Sequence, residues 1–594
     1  MVNLTINNKA VSVPEGTTIL EAAGLNNIRI PHLCYLKGVH RIGSCRICVV
    51  EVEGARGLQA SCMVTVREGM VVHTHSERVR TARQNLYELM LSDHPKDCLK
   101  CERNQKCELQ SLGEILQSGE ARFEGEQFRN DFDHSSPSII RDTSKCILCR
   151  RCVTVCNEIQ GIGVLNAQNR GFKTVIGTAD SLDLASVNCT YCGQCVSACP
   201  VGALQEKDAT GRVWEALADS NKRVIVQTAP AIRAALGEEF GFEAGTLVTG
   251  KLVSALRELG FDDVFDTNFA ADLTIMEEGS EFLERVEKLT AGKEVALPMI
   301  TSCSPGWVKY VEHTFPKKLE HLSSCKSPHM MLGAMAKSYY AEKKELDPKD
   351  IFVVSVMPCT AKKFEANRAE LNVNGYPDVD AVITTRELAR MIRKAGIDFK
   401  SLGEDVFDNP LGLSSGAGDI FAVTGGVMEA ALRTVYEVIT GRELPFAHLH
   451  VTPIVGLEQV KTAELTIDKP LEKYKALDGI TIKVAVTSGF KGARILMDQV
   501  ARGESPYHFI EIMGCPGGCI SGGGQPRPTT QEVRMKRLQA IYRSDEGKAL
   551  RKSHENPFIK EIYAEYLGEP LGEKSHHLLH THYVERGKFN ELLR

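Results

Sequence analysis

CILCRRCVTVC (residues 146–156) and CTYCGQCVSACP (residues 189–200) are two copies of one pattern. Each follows C-x2-C-x2-C-x3-C, and the second copy ends in Pro200. Three thiolates spaced by two residues wrap one face of an iron–sulfur cubane, and the fourth reaches the neighbouring cluster. The spacing assigns Cys146, Cys149, Cys152 and Cys199 to one [4Fe–4S] cluster. Cys189, Cys192, Cys195 and Cys156 then hold a second. Zinc also takes C-x2-C pairs, but a doubled four-cysteine run favours iron and sulfide. Residues 138–209 therefore read as one two-cluster unit made by an internal repeat.

Two further sites lie towards the N-terminus. HPKDCLKCERNQKC places His94 four residues before the pair Cys98 and Cys101, with Cys107 beyond. One histidine and three cysteines fit either zinc or an iron–sulfur cluster; beside other cluster units a [4Fe–4S] cluster is favoured. A histidine ligand raises a cluster's potential by lowering its negative charge. Cys34, Cys45, Cys48 and Cys62 form the other set, with Gly43 and Ser44 letting the backbone approach at GSCRIC. The spacing is wider than the plant-type pattern. Four thiolates in a small β-rich domain still favour [2Fe–2S], with zinc as the main alternative. LTINNKAVSVPEGTTILEAA predicts a hairpin with an Asn-Asn turn, then a helix entered at Thr17-Thr18. Residues 1–78 are expected to be β-grasp-like. Residues 79–119 are expected to be helical with a break at Pro95. GEARFEGEQFRNDFDHSSPS (119–138) reads as a connector.

From residue 221 the texture changes. VIVQTAP, VALPMITSC, IFVVSVMPC and TIKVAVTSG are short apolar strands, alternating with helical stretches such as GKLVSALRELG and FLERVEKL. That alternation predicts an α/β domain on parallel strands over 221–530, with its site at the strands' C-terminal ends. Residues 531–594 read as a charged helical segment wrapping it. The fold class is thus multidomain, α+β followed by α/β.

With 594 residues, 25% charged and 43% hydrophobic, the chain has the composition of an ordinary globular protein with several cores. A formal net charge of −5 gives no footing for nucleic acid. No signal peptide or membrane span is expected, which suggests a reducing, cytoplasmic setting where clustered cysteines bind metal. Four clusters in series make a wire, and something at its end must consume or supply electrons.

The remaining cysteines, Cys303, Cys325, Cys359, Cys515 and Cys519, are dispersed in TSCSPGW, LSSCKSP, MPCTAKKFE and MGCPGGCISGGGQP. The glycine-rich last motif lacks the G-K-[ST] ending of a phosphate loop. TSCSPGW, MPCTAKKFE and MGCPGGCISGGGQP resemble the three signatures of the [FeFe]-hydrogenase catalytic domain. The upstream motifs resemble the accessory region of its larger, clostridial-type members. The resemblance implies an H-cluster: a [4Fe–4S] cubane joined by a cysteine thiolate to a diiron unit carrying CO, cyanide and an azadithiolate. It implies Cys359, Cys515 and Cys519 as ligands, Cys519 being the bridging thiolate. Lys362 would bond a cyanide, and Ala229, Pro230, Ser327, Met357 and Met513 would line the diiron pocket.

The family has two consecutive cysteines where this chain has Cys303-Ser304. Ungapped matching makes Cys303 the proton relay and Ser304 a cubane ligand. The alternative makes Cys303 the ligand, with Cys325 an outside candidate. EEGSEFLER resembles the family's proton path and implies Glu278, Glu281 and Arg285, joined by Ser323; the plainer reading is a solvated helix face. His329 stands where the family has glutamine, and is expected to donate a similar hydrogen bond. The histidines of SHHLLHTHY are expected to be structural.

The implied reaction interconverts H2 with two protons and two electrons. Ferredoxin, or NAD- and flavin-binding partner subunits of a hetero-oligomer, would exchange the electrons, with electron bifurcation as one arrangement. No dinucleotide fingerprint is present in this chain. The competing readings are a hydrogen sensor and a non-catalytic, hydrogenase-like iron–sulfur assembly protein.

Overall fold

The computed structural model describes residues 1–119, 121–127, 132–444 and 460–587. Parts of the expected connector (120, 128–131), of the α/β domain (445–459) and the end of the helical C-terminal segment (588–594) lie outside the described residues. The chain forms two compact units. One comprises Met1–Ile159, Gly163–Val187 and Ala198–Gln205, the other Gln160–Ile162, Asn188–Ser197 and Glu206–Arg594.

In the first unit the hairpin Val2–Ile6/Lys9–Val13 closes through Asn7 and Asn8, whose φ angles are +49° and +65°. A two-residue loop with both residues left-handed matches the twist of the strands, and asparagine tolerates that conformation. Thr18 caps the following helix Ile19–Leu25 in a reciprocal box with Glu21, as the sequence predicts. The hairpin joins a five-stranded sheet ordered Lys9–Val13, Val2–Ile6, Met70–His73, Val49–Val52, Gln59–Ala60. Ile6, Ile19, Val50 and Val72 form its sealed core. Helix Glu77–Asp93 stops at His94, just before Pro95, and helix Glu108–Leu116 begins at Cys107. The Glu108 amide donates to the Pro200 carbonyl at 2.9 Å, and Arg151 pairs with its carboxylate at 2.7 Å.

The second unit carries two four-stranded sheets. One is all parallel, ordered Asp263–Asp266, Arg223–Thr228, Ile351–Met357, Ala381–Thr384. The other is ordered Met299–Ile300, Phe509–Met513, Thr481–Ser488, Val460–Thr466, with only the last pair antiparallel. Of VALPMITSC only Met299–Ile300 is strand. The strand Phe509–Met513, which feeds MGCPGGC, was not anticipated. Glu511 interrupts its apolar run, yet the strand is buried on both faces. Helix Thr267–Thr290 packs against helices Pro328–Met335, Gly416–Ile420 and Gly426–Thr440.

The C-terminal segment contains helices Gln531–Glu546, Pro557–Ile562 and Glu573–Leu579. Beyond the last, the chain docks through an isolated antiparallel bridge between His580 and Cys325. Lys326 donates its amide to Leu579 O at 2.8 Å, and Thr581 donates to Ser324 O at 2.7 Å. The Tyr583 hydroxyl donates to Ser323 O at 2.5 Å. Among the described residues no helix is long and apolar enough to cross a membrane.

Candidate active site

The expected diiron and cubane residues, apart from Ser327, come together in the second unit around one cavity; Ser327 precedes Pro328, which lines it. Each follows the C-terminal end of a parallel strand: Ala229 and Pro230 after Thr228, Cys303 and Ser304 after Ile300, Cys359 after Met357, Cys515 after Met513. Backbone amides and carbonyls run out there, and the crevice between strand ends is the place α/β folds offer a ligand. Cys519, Lys362, Met357 and Met513 complete the wall. Gly518 needs its φ of +94°, and a Cβ on it would stand 2.7 Å from Thr424 N. A Cβ on Gly522 would stand 2.2 Å from Pro358 O. The glycines of MGCPGGCISGGGQP thus let this loop lie directly on neighbouring backbone. Buried Arg386 fastens it, donating to Gly523 O at 2.7 Å and Gln525 O at 2.5 Å while pairing with Glu206 at 2.6 Å.

The donor set fits an iron–sulfur group. Burial pushes the Cys519 thiol up to about 12, with the Cys359 thiol adding to the effect. Burial, then Cys359, Cys192 and Cys519, raises Cys515 far above the ordinary thiol value. Clustered buried thiols resist ionisation until a cation balances them. Ser327 Oγ is buried with no hydrogen-bond partner in the protein. A buried hydroxyl left unpaired costs free energy, and a cofactor ligand would satisfy it. The Lys362 ammonium pairs with Glu365 at 2.7 Å and donates to Cys303 O at 3.0 Å. It has three donors, so one remains for a ligand in the cavity.

Cys303 and Ser304 part company. Ser304 is the N-cap residue of helix Pro305–Thr314, yet its hydroxyl does not cap that helix. It accepts instead from the Gly514 amide at 3.1 Å, next to Cys515. Burial, then the nearby Glu278 carboxyl, raises the Cys303 thiol well above its ordinary value. Cys325 does not line the cavity; its buried thiol stands 4.0 Å from Glu281 Oε2. His329 does line it, but not as expected. Its Nε2 lies 2.7 Å from Glu365 and its Nδ1 3.2 Å from Ser355 Oγ, so neither nitrogen is free to donate into the cavity. Burial and then Lys362 lower its pKa to about 4.

Glu278, Glu281 and Arg285 lie on helix Thr267–Thr290. The solvated-face reading fails: Glu278 and Glu281 are buried. Burial raises Glu278 to about 8, against a hydrogen bond from Ser323. Ser323 Oγ also lies 3.2 Å from Glu281 Oε2, and Arg285 pairs with Glu281 at 2.6 Å. Glu365, which pairs with Lys362 and His329, and Ser324, which donates to Glu281, were not singled out from the sequence; His580, expected to be structural, lies 2.8 Å from the Ser324 hydroxyl. Glu365 stands one turn beyond Lys362, a spacing that hints at the pair.

In the first unit Cys34, Cys45, Cys48 and Cys62 are buried and their thiols hydrogen-bond one another. Cys146, Cys149, Cys152 and Cys199 line one pocket, as the doubled run predicts. Cys156 belongs to the first unit, and Cys189, Cys192 and Cys195 to the second. Cys98, Cys101 and Cys107 flank a single turn, Cys98–Lys100, and burial lowers the proton affinity of His94.

Comparison with known proteins agrees with this reading. Residues 222–523 match the model of the iron only hydrogenase large subunit, C-terminal domain, and residues 531–586 that of the iron hydrogenase small subunit. Residues 1–77 match a 2Fe-2S iron-sulfur cluster binding domain and 145–203 a 4Fe-4S dicluster domain. Residues 83–122 match the NADH-ubiquinone oxidoreductase-G iron-sulfur binding region. The chain belongs to the iron-only, [FeFe]-hydrogenase family and is an oxidoreductase acting on hydrogen through iron–sulfur clusters. It is 52% identical over 593 residues to the NADP-reducing hydrogenase subunit HndD of Solidesulfovibrio fructosivorans, covering 99% of each chain. It is 40% identical to iron hydrogenase 1 of Clostridium pasteurianum, covering 98% of this chain and 100% of that one. A solved structure of [FeFe]-hydrogenase HydA1 from Chlamydomonas reinhardtii superposes with a TM-score of 0.57 at 46% identity. It covers 64% of this chain and 99% of that one.

Proposed function

We propose that Cys359, Cys515, Cys519 and Ser304 hold the H-cluster, with Cys303 as the proton relay. The diiron unit of that cofactor supplies the bond-making and bond-breaking chemistry of 2H⁺ + 2e⁻ ⇌ H2. The observation that carries the assignment is the convergence of these donors with Lys362 on one cavity, with buried Glu278 beside the Cys303 thiol. The serine turned towards Gly514 supports a ligand role for Ser304; the Glu278 carboxyl beside the Cys303 thiol supports the relay.

The residues of this chain then do three things. Lys362 and Ser327 orient the cofactor's polar ligands. Met357, Met513, Pro230 and Ala229 keep the pocket dry, so that charge is not screened. Glu278, Ser323, Glu281 and Arg285 offer a series of exchangeable protons between Cys303 and the outer end of the helix. Glu278, held near 8 by burial, is poised to take and return a proton at neutral pH.

Electrons pass through one [2Fe–2S] and three accessory [4Fe–4S] clusters, held by the cysteines and His94 named above. Likeness along nearly the whole chain to a subunit named NADP-reducing supports a hetero-oligomer in which NAD(P)- and flavin-binding partners, or ferredoxin, exchange the electrons, an arrangement that suits electron bifurcation. Anaerobic maturation followed by infrared spectroscopy and an H2-evolution assay tests the assignment. CO and cyanide bands together with turnover are expected. Bands without turnover favour a sensor, and no bands favour an assembly protein.

A further inference from the structure

The proton path has a side branch. Glu281 accepts from Arg285 at 2.6 Å, Ser323 Oγ at 3.2 Å, Ser324 N at 3.0 Å and Ser324 Oγ at 3.1 Å. The Ser324 hydroxyl also lies 2.8 Å from His580 Nδ1. His580 Nε2 lies 3.0 Å from Glu277 Oε2. Glu277 in turn accepts from the Tyr563 hydroxyl, from Leu571 N at 2.9 Å and from Ser575 Oγ at 3.4 Å. Glu277, Glu281 and His580 are all buried.

A serine hydroxyl has one proton to give. If Ser324 gives it to Glu281, His580 must bring a proton on Nδ1. The 3.0 Å contact with Glu277 then needs a second proton, on Nε2 or on the carboxyl. If that extra proton leaves, neutral His580 keeps Nε2–H towards Glu277 and its bare Nδ1 takes the Ser324 proton. Glu281 then loses one of its donors. Hydrogen bonds to a carboxylate favour its charged form, so the two arrangements leave Glu281 with different readiness to release a proton.

We propose that His580 is a positioning residue for the proton path: through the Ser324 hydroxyl it sets how many hydrogen bonds Glu281 receives. The inference rests on the reading of Glu281 as a member of that path. The groups facing His580 are Glu277 and, through Ser324, Glu281 from helix Thr267–Thr290; Cys325, paired with it as an isolated bridge; Tyr563 and Ser575 behind Glu277; and His576, stacked at 4.6 Å. Arg285 faces Glu281. Burial, then Glu281, raises the Cys325 thiol far above neutrality, so Cys325 contributes no charge. The C-terminal segment thereby does more than cover the domain, because it delivers the imidazole that orients the hydroxyl.

Two substitutions separate this from a packing role. His580→Asn keeps an N–H donor at the Nδ1 position at every pH, so Ser324 always donates to Glu281. Ser324→Ala removes that donor at every pH. In fully matured, full-length protein the limb of the pH–rate profile governed by Glu281 is expected to move down by about one pH unit in H580N. It is expected to move up by a similar amount in S324A. In the unaltered protein, ¹⁵N spectra of labelled histidine should show Nδ1 of His580 passing from protonated to bare across the same limb. Displacement of both variants in the same direction, no displacement, or a His580 signal unchanged across the limb overturns the proposal; if H580N does not fold, S324A and the histidine spectra still decide. Glu281→Gln is the control for the underlying reading: undiminished turnover in E281Q removes Glu281 from the path itself. Loss of turnover in E281Q with unmoved S324A and H580N profiles overturns only the role of His580.

Discussion

Glu278→Gln tests the proton path through two independent measurements. The Glu278 carboxyl is fully enclosed, and burial lifts it from an ordinary 4.5 to about 8. The native state therefore binds a proton that the unfolded chain has released anywhere between those values. Stability contributed by the protonated carboxyl is fully present below pH 4.5 and is lost as pH rises towards about 8. At 1.36 kcal/mol per unit, the deficit reaches about 3 kcal/mol at pH 7. Glutamine has no proton to lose. It forfeits about 1 kcal/mol of hydrogen bonding with Ser323, a loss independent of pH. The melting temperature of cofactor-free E278Q should thus rise relative to the parent as pH increases from 4.5 to 8. Over the same variant, H2 evolution after maturation should fall on the order of 100-fold or more, because an amide cannot relay a proton. The infrared bands of the loaded site should remain. A melting gap that stays flat with pH refutes the raised carboxyl, and undiminished turnover refutes its place in the path.

Other outcomes follow from the same geometry. Cys303→Ala should remove most turnover yet keep the CO and cyanide bands; loss of the bands would make Cys303 a ligand. Cys519→Ser should abolish turnover while the paramagnetic signals of the N-terminal clusters persist. Arg386→Ala removes the shortest of three arginine contacts to buried Glu206, leaving Arg390 at 3.2 Å and Arg527 at 3.6 Å, and unfastens the glycine-rich loop, so thermal unfolding should show a loss of about 1–3 kcal/mol. His329, lowered to about 4, contributes stability that is present above pH 6.5 and lost as pH falls towards 4. His329→Gln should flatten that acid limb in the cofactor-free protein. Iron analysis of fully matured protein should approach roughly 20 atoms per chain, and a lower count with zinc present would reassign an accessory site.

Local chemistry made much of this protein legible before any coordinates. Cysteine spacing within a dozen residues determines which thiols share a cluster, because the chain between them has little freedom. Asn7-Asn8 and the Thr18–Glu21 box specify a turn and a helix start by hydrogen bonds only a few residues long. Tertiary structure decided what depends on distant segments meeting. The strand Phe509–Met513 was hidden by Glu511, whose carboxylate is answered by the Gly425 and Met428 amides rather than by solvent. EEGSEFLER has the pattern of a solvated face, and only the packing of other helices and the C-terminal segment against it makes Glu278 a buried acid. His329 looked free to donate until Glu365 and Ser355 were seen to occupy both its nitrogens. His580 reaches Ser324 and Glu277 from the far end of the chain, a pairing set by no local rule. Short-range spacing and capping are written into neighbouring residues, whereas burial, charge and hydrogen-bond direction belong to whatever the fold brings alongside.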